Sequence, residues 1–121
     1  MRISEAAAAC GLSPDTIRYY EKSKMLPKVH RTTNGNRDFS QENVEWLTLL
    51  YWLRESGMPL KEMRRFTHLA QAGPETIPER RKILLDHSEQ LRRRREKLDR
   101  CEAVLAVKIA SYGAPDQENQ T

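Results

Sequence analysis

Apolar residues along this chain recur at helical spacing, lose that spacing once, and regain it for the C-terminal third. The stretch SEAAAAC reads as a short helix, with Ser4 as its cap, Glu5 in a first turn that favours an anion, and Gly11 as its stop. After Leu12, Ser13 and Pro14 open a second helix within SPDTIRYYEKS. The serine can accept from an early backbone N–H, and proline loses nothing where that N–H has no partner. Two short helices joined by a glycine-containing turn predict a helix-turn-helix. In LPKVHRTTNGNRDF the helical period disappears: Val29 and His30 begin a strand, Asn34-Gly35 turns it, and Arg37-Asp38-Phe39 returns. Ser40 then caps a helix from about Gln41 to Ser56, carrying Val44, Trp46, Leu47, Leu50, Tyr51 and Leu53 and ended by Gly57. MPLKEMRRFTHLAQAG forms another, with Leu60, Met63, Phe66, Leu69 and Ala70 in register.

Gly73, Pro74 and Pro78 break this pattern. From about Glu79 to Ser111 no Gly or Pro intervenes, and Leu84, Leu91, Leu98, Leu105 and Tyr112 form a sevenfold series. That is an apolar seam at coiled-coil period. One stripe on a charged rod has nothing to bury against by itself, so the pattern predicts dimerisation; folding back onto the N-terminal part is the alternative. The expected architecture is mainly α. A winged helix-turn-helix head, with a small β-hairpin wing and two linking helices, occupies residues 1–72; a dimerisation helix occupies 73–112; a polar tail over 113–121 is expected to be disordered.

Composition sharpens this picture. Charged residues make up 31% of the 121 and aromatics 7%, too polar a mixture to fill a wide core, which again calls for a partner chain. The balance of 21 Lys+Arg against 17 Asp+Glu, a net +4, permits nucleic-acid binding without requiring it. Cys10 and Cys101 resemble neither a disulfide framework nor a paired metal ligand, and no clustered His or Cys supplies a metal site; no cofactor is expected. No apolar run is long enough for a signal peptide or a membrane span, so a cytoplasmic protein with reduced thiols and no membrane partner is expected.

Neighbouring residues on a helix point about 100° apart, so Tyr19 and Tyr20 cannot share a core. Ile17 and Tyr20, three apart, look inward; Thr16, Arg18 and Tyr19 look out. Such a face suits the major groove, since Arg offers paired donors to guanine or phosphate and the hydroxyls reach phosphate oxygens. The bland alternative is that Arg18 pairs with Asp15 or Glu21 while Tyr19 shields the core. His30, Arg31, Asn34 and Arg37 place a run of donors on the hairpin that follows, as a wing would. Arg92 to Arg95 cover all faces of the long helix, and Glu89 and Glu96 are within reach, which reads as a solvated surface. The three histidines, His30, His68 and His87, lie in separate segments with no Ser/Cys–His–acid pattern, which argues against an enzyme. A coiled-coil adaptor with a merely structural head is the other alternative.

The succession TIRYYEKSKMLP, GNRDF and LRESGMPLKEMRRF resembles the MerR family of bacterial transcription regulators, over nearly the whole chain from about Ile3 to Tyr112. The resemblance implies a homodimer joined by an antiparallel coiled coil, not an enzyme. Thr16, Arg18, Tyr19, Arg31, Asn34, Arg37 and Lys61 are then the candidate contacts to double-stranded promoter DNA, with Tyr20 in the core. It further implies a pseudo-palindromic promoter spacer, distorted on effector binding so that RNA polymerase engages both promoter elements. Where the family has glycine after the recognition helix this chain has Lys24, which costs about 1 kcal/mol if the backbone is left-handed there. The segments around Trp46, Gly73–His87 and KIASY resemble the small aldehyde- and thiol-stress-responsive subgroup, which has no separate effector domain. That subgroup carries a reactive cysteine where this chain has Trp52. The effector candidates are therefore Cys101, near Arg94, Lys97 and Arg100, whose charges favour a thiolate, and Cys10; each is alternatively a small packing residue.

Overall fold

The computed structural model describes residues 1–113, so the tail expected over 113–121 lies, apart from Gly113, outside the described residues. The helices are α1 (Ile3–Cys10), α2 (Pro14–Lys22), α3 (Gln41–Glu55), α4 (Leu60–Ala72) and α5 (Ile77–Tyr112); β1 (His30–Arg31) and β2 (Arg37–Asp38) lie between α2 and α3, and a single 3₁₀ turn, Pro74–Thr76, precedes α5. Two units result, Met1–Leu84 and the residues from Leu85 onward. The mainly helical fold with its hairpin wing is as the sequence predicts.

Two helix starts differ from expectation. Arg2, not Ser4, is the N-cap of α1, and its N–H donates to the Glu5 carboxylate at 3.1 Å. Ile3 packs against the core, which draws the helix start back before the serine. Pro78 does not end anything: it is the second residue of α5, where a missing N–H breaks no intrahelical bond. The other caps follow the sequence. Ser13 Oγ accepts from Thr16 N–H at 3.1 Å, and Ser40 Oγ accepts from Asn43 N–H at 3.1 Å while Asn43 Oδ1 accepts from Ser40 N–H at 2.9 Å.

The first unit closes on one core. Ile17, Met25, Leu47 and Leu50 are fully buried, joined by Ala6, Tyr20, Phe39, Met63 and Phe66. Trp46 ties three parts together: its indole N–H donates to the Met25 carbonyl at 2.8 Å, and its ring stacks on Phe66 with centroids 5.6 Å apart. Half-buried against the core, the indole needs a partner for its N–H, and the turn after α2 supplies it. In the hairpin, His30 pairs with Asp38 and Arg31 with Arg37. Val29 lies just outside the ladder and is buried instead, as is Phe39, so the wing is anchored by an apolar residue at each foot.

Helices α2 and α3 end alike. After α2, Met25 N–H donates to the Tyr20 carbonyl and Lys24 N–H to that of Glu21; after α3, Met58 N–H donates to Leu53 and Gly57 N–H to Arg54. This double bond with a left-handed residue is the Schellman cap, and in each case a buried methionine follows. The left-handed residue is Gly57 at φ 87 in one and Lys24 at φ 60 in the other. Lysine therefore sits in the conformation that glycine favours.

Candidate nucleic-acid interface

The inward and outward faces of α2 are as its spacing predicts. Ile17 is fully buried and Tyr20 is 3% exposed, whereas Tyr19 is 43% exposed. Burial raises the Tyr20 phenol above its ordinary pKa, with nearby Arg54 acting in the opposite direction, so this hydroxyl stays protonated and structural. The outward face holds two hydroxyls whose acceptor side is already occupied. Ser13 Oγ donates to Thr16 Oγ1 at 2.9 Å, and Arg64 Nη2 on α4 donates to Tyr19 Oη at 2.6 Å. A hydroxyl that accepts in this way keeps its own proton for an outside acceptor. Between them Arg18 is exposed and pairs with Asp15 at 2.8 Å, the local pairing weighed above. Both side chains of that pair are largely solvated, so the bond holds the guanidinium only loosely. A cleft of about 460 Å³ between α2 and the α3–α4 turn is lined by Thr16 and Tyr19 on one side and Arg54 and Leu60 on the other.

The wing residues divide into anchors and free ends. Arg37 forms an ion pair with Glu21, so the wing is tied to α2. Arg31 Nη1 donates to the Gly35 carbonyl at 3.0 Å and braces the turn. Gly35 has φ 79, and its N–H donates to Thr32 at 2.9 Å, a geometry that the Asn-Gly pair supplies without strain. Asn34 and His30 are exposed beside it.

Lys61 lies on an exposed face of α4 together with Arg64, Arg65 and His68. That basic face follows an i, i+3, i+4, i+7 pattern, opposite buried Met63 and Phe66. Only its first member was singled out from the sequence; the spacing of basic residues in LKEMRRFTH was the signal for the rest. Of the cysteines, Cys10 is buried in the head, its thiol 3.8 Å from the Ala7 carbonyl, and Cys101 is exposed on α5. Among the described residues no group of three or more His, Cys, Asp and Glu is placed to hold a metal ion, and no helix is long and apolar enough to cross a membrane.

The sequence model for the MerR HTH family regulatory protein matches residues 1–69, and that described as MerR, DNA binding matches residues 44–107. An uncharacterized HTH-type transcriptional regulator of Haemophilus influenzae is 35% identical over 109 residues, 90% of this chain and 81% of that protein. A putative MerR family transcriptional regulator from Listeria monocytogenes superposes with a TM-score of 0.88 at 28% identity, covering 99% of this chain and 91% of its own. HiNmlR, a MerR family regulator lacking the sensor domain and bound to promoter DNA, superposes with a TM-score of 0.83 at 34% identity, covering 92% and 88%.

Proposed function

Since the chain belongs to the MerR family of HTH-type DNA-binding transcription regulators and is not an enzyme, we propose that it acts as a homodimer on a pseudo-palindromic promoter spacer. The observation that carries this is the outward face of α2, where Thr16 and Tyr19 hold protons free to donate beside the exposed Arg18. Phosphates accept from the two hydroxyls, and Arg18 reaches guanine or phosphate once its weak bond to Asp15 exchanges for the stronger acceptor. Asn34 and Arg31 at the wing, and Lys61 on α4, extend contact to flanking phosphates; Arg37 does so while tethered to Glu21. On this reading the protein acts in the cytoplasm.

The exposed seam of α5 supports the dimer. Leu98 and Leu105 are 63% and 60% exposed in the single chain. A fully buried leucine contributes roughly 1.5–3 kcal/mol, so antiparallel pairing of the whole seam offsets much of the cost of association. The 36 residues of α5 rise roughly 54 Å, a reach that fits two recognition helices placed in separate half-sites. Effector binding then alters the bend of the spacer so that RNA polymerase engages both promoter elements. Cys101 is the exposed thiol that an electrophile or oxidant reaches, whereas Cys10 is shielded.

The test is an anisotropy titration of the chain against its own upstream duplex over a salt series. The expected result is a steep fall of log K with log salt, and a loss of sequence preference in Arg18→Ala that exceeds any in Lys28→Ala. Absence of binding at low salt refutes the reading. Transcription in vitro with wild type, Cys10→Ser and Cys101→Ser, challenged with aldehydes and oxidants, decides the sensor; induction that survives both substitutions removes it.

A further inference from the structure

Resting on the reading of α2 as the recognition helix, we propose that Arg64 is a positioning residue for operator binding, which fixes the Tyr19 hydroxyl as a donor to a DNA phosphate before DNA arrives. Arg64 lies on α4, 45 positions from Tyr19, yet its Nη2 donates to Tyr19 Oη at 2.6 Å. A guanidinium carries donors only, so the phenol can play only the acceptor in this bond. Its own proton is then left for a second acceptor on the solvent side, where the ring is 43% exposed. An unheld phenol in water donates and accepts interchangeably and samples several rotamers. Here both freedoms are removed in advance, which lowers the ordering cost of the contact.

A second bond shows that α4 holds α2 at more than one point. Two turns beyond Arg64, Gln71 Nε2 donates to the Lys24 carbonyl at 2.9 Å. That carbonyl belongs to the left-handed residue that closes α2. The recognition helix is thus gripped near its middle and at its cap, both from α4. Neither bond is needed to close the core, which Met63 and Phe66 already seal on the other face of α4. Arg64 and Gln71 are exposed, so their bonds contribute little to stability and matter through orientation.

The experiment is a double-mutant cycle in promoter affinity, with wild type, Tyr19→Phe, Arg64→Gln and the double variant titrated on the upstream duplex at several salt concentrations. Arg64→Met, run in parallel, repeats the cycle without an amide that could replace the guanidinium. Each single variant is expected to bind about tenfold more weakly, and the double variant also about tenfold, because either change removes the same oriented donor. The slope of log K against log salt stays unchanged in Arg64→Gln, since a positioning guanidinium neutralises no phosphate of its own. Coincident thermal melts for all variants separate orientation from unfolding. Losses that multiply to about a hundredfold, or a slope that falls by about 0.9, overturn the proposal and make Arg64 an independent contact. Failure of the wild type to prefer this duplex over a scrambled one refutes the reading of the head instead, so the two failures are distinguishable.

Discussion

Leu47 and Leu50 in α3 are fully buried within one chain, whereas Leu98 and Leu105 in α5 are 63% and 60% exposed. The residue type is the same and both lie in regular helices. The difference is what surrounds them: α3 is flanked by α1, α4 and the turn after α2, while the seam residues Leu91, Leu98 and Leu105 stand exposed, outside the core. A helix this long with one apolar stripe is marginal in water unless the stripe is covered. The head thus derives its stability locally, and α5, in the proposed dimer, derives its stability from association. This contrast yields a simple criterion. Changes in the head shift melting by an amount independent of protein concentration; changes along the seam act through concentration.

The largest effect is expected for Leu47→Ala. Its side chain lies at the centre of the head, and a truncation that leaves a cavity there costs about 2–5 kcal/mol. Chemical unfolding followed by circular dichroism should give the same loss at low and high protein concentration. Leu98→Ala comes next, at about 1–3 kcal/mol per chain, since its exposed surface in the single chain is what a partner would bury. Sedimentation equilibrium should show weaker self-association, and melting should become more dependent on concentration. An unchanged association constant would break the contrast, because the seam would then not be an interface.

How far the sequence carried these distinctions depended on the kind of feature. Periodicity placed α3 and α4, because apolar spacing is imposed by burial and burial is what the head achieves, while caps and the Gly11 stop marked α1 and α2; Ile17 against Tyr19 was legible from spacing. The hairpin was legible through Asn34-Gly35, whose left-handed requirement is local. Start positions were less so: Ser4 is a good cap by type, yet Ile3 packs on the core and outweighs it. The bonds from Arg64 to Tyr19, Gln71 to Lys24 and Arg37 to Glu21 were not legible at all. Their partners are far apart in sequence and belong to exposed polar residues, whose pairing depends on how the helices pack rather than on any pattern along the chain.

A smaller prediction concerns Gly57, which holds the left-handed cap of α3 at φ 87. Gly57→Ala imposes a left-handed penalty of about 1–2 kcal/mol on the head. Comparison of melts across protein concentration checks that the loss stays local and that self-association is untouched.

The smallest effect sharpens the contrast from the opposite direction. Lys24 occupies the same cap position after α2 at φ 60, with the same pair of backbone bonds and the same buried methionine behind it. Lys24→Gly removes a left-handed cost of about 1–2 kcal/mol but gives the unfolded chain more freedom, worth about 0.4–1 kcal/mol in the other direction. The net expectation is a gain of about 0.5–1 kcal/mol, seen as a few degrees in melting. The bond from Gln71 uses the Lys24 backbone carbonyl, not its side chain, so the substitution leaves that hold on α2 in place. Stability should therefore rise with no change in the association constant. A melt that rises only at high protein concentration would instead mean that the head senses the state of α5, and that the two sources of stability are not separate.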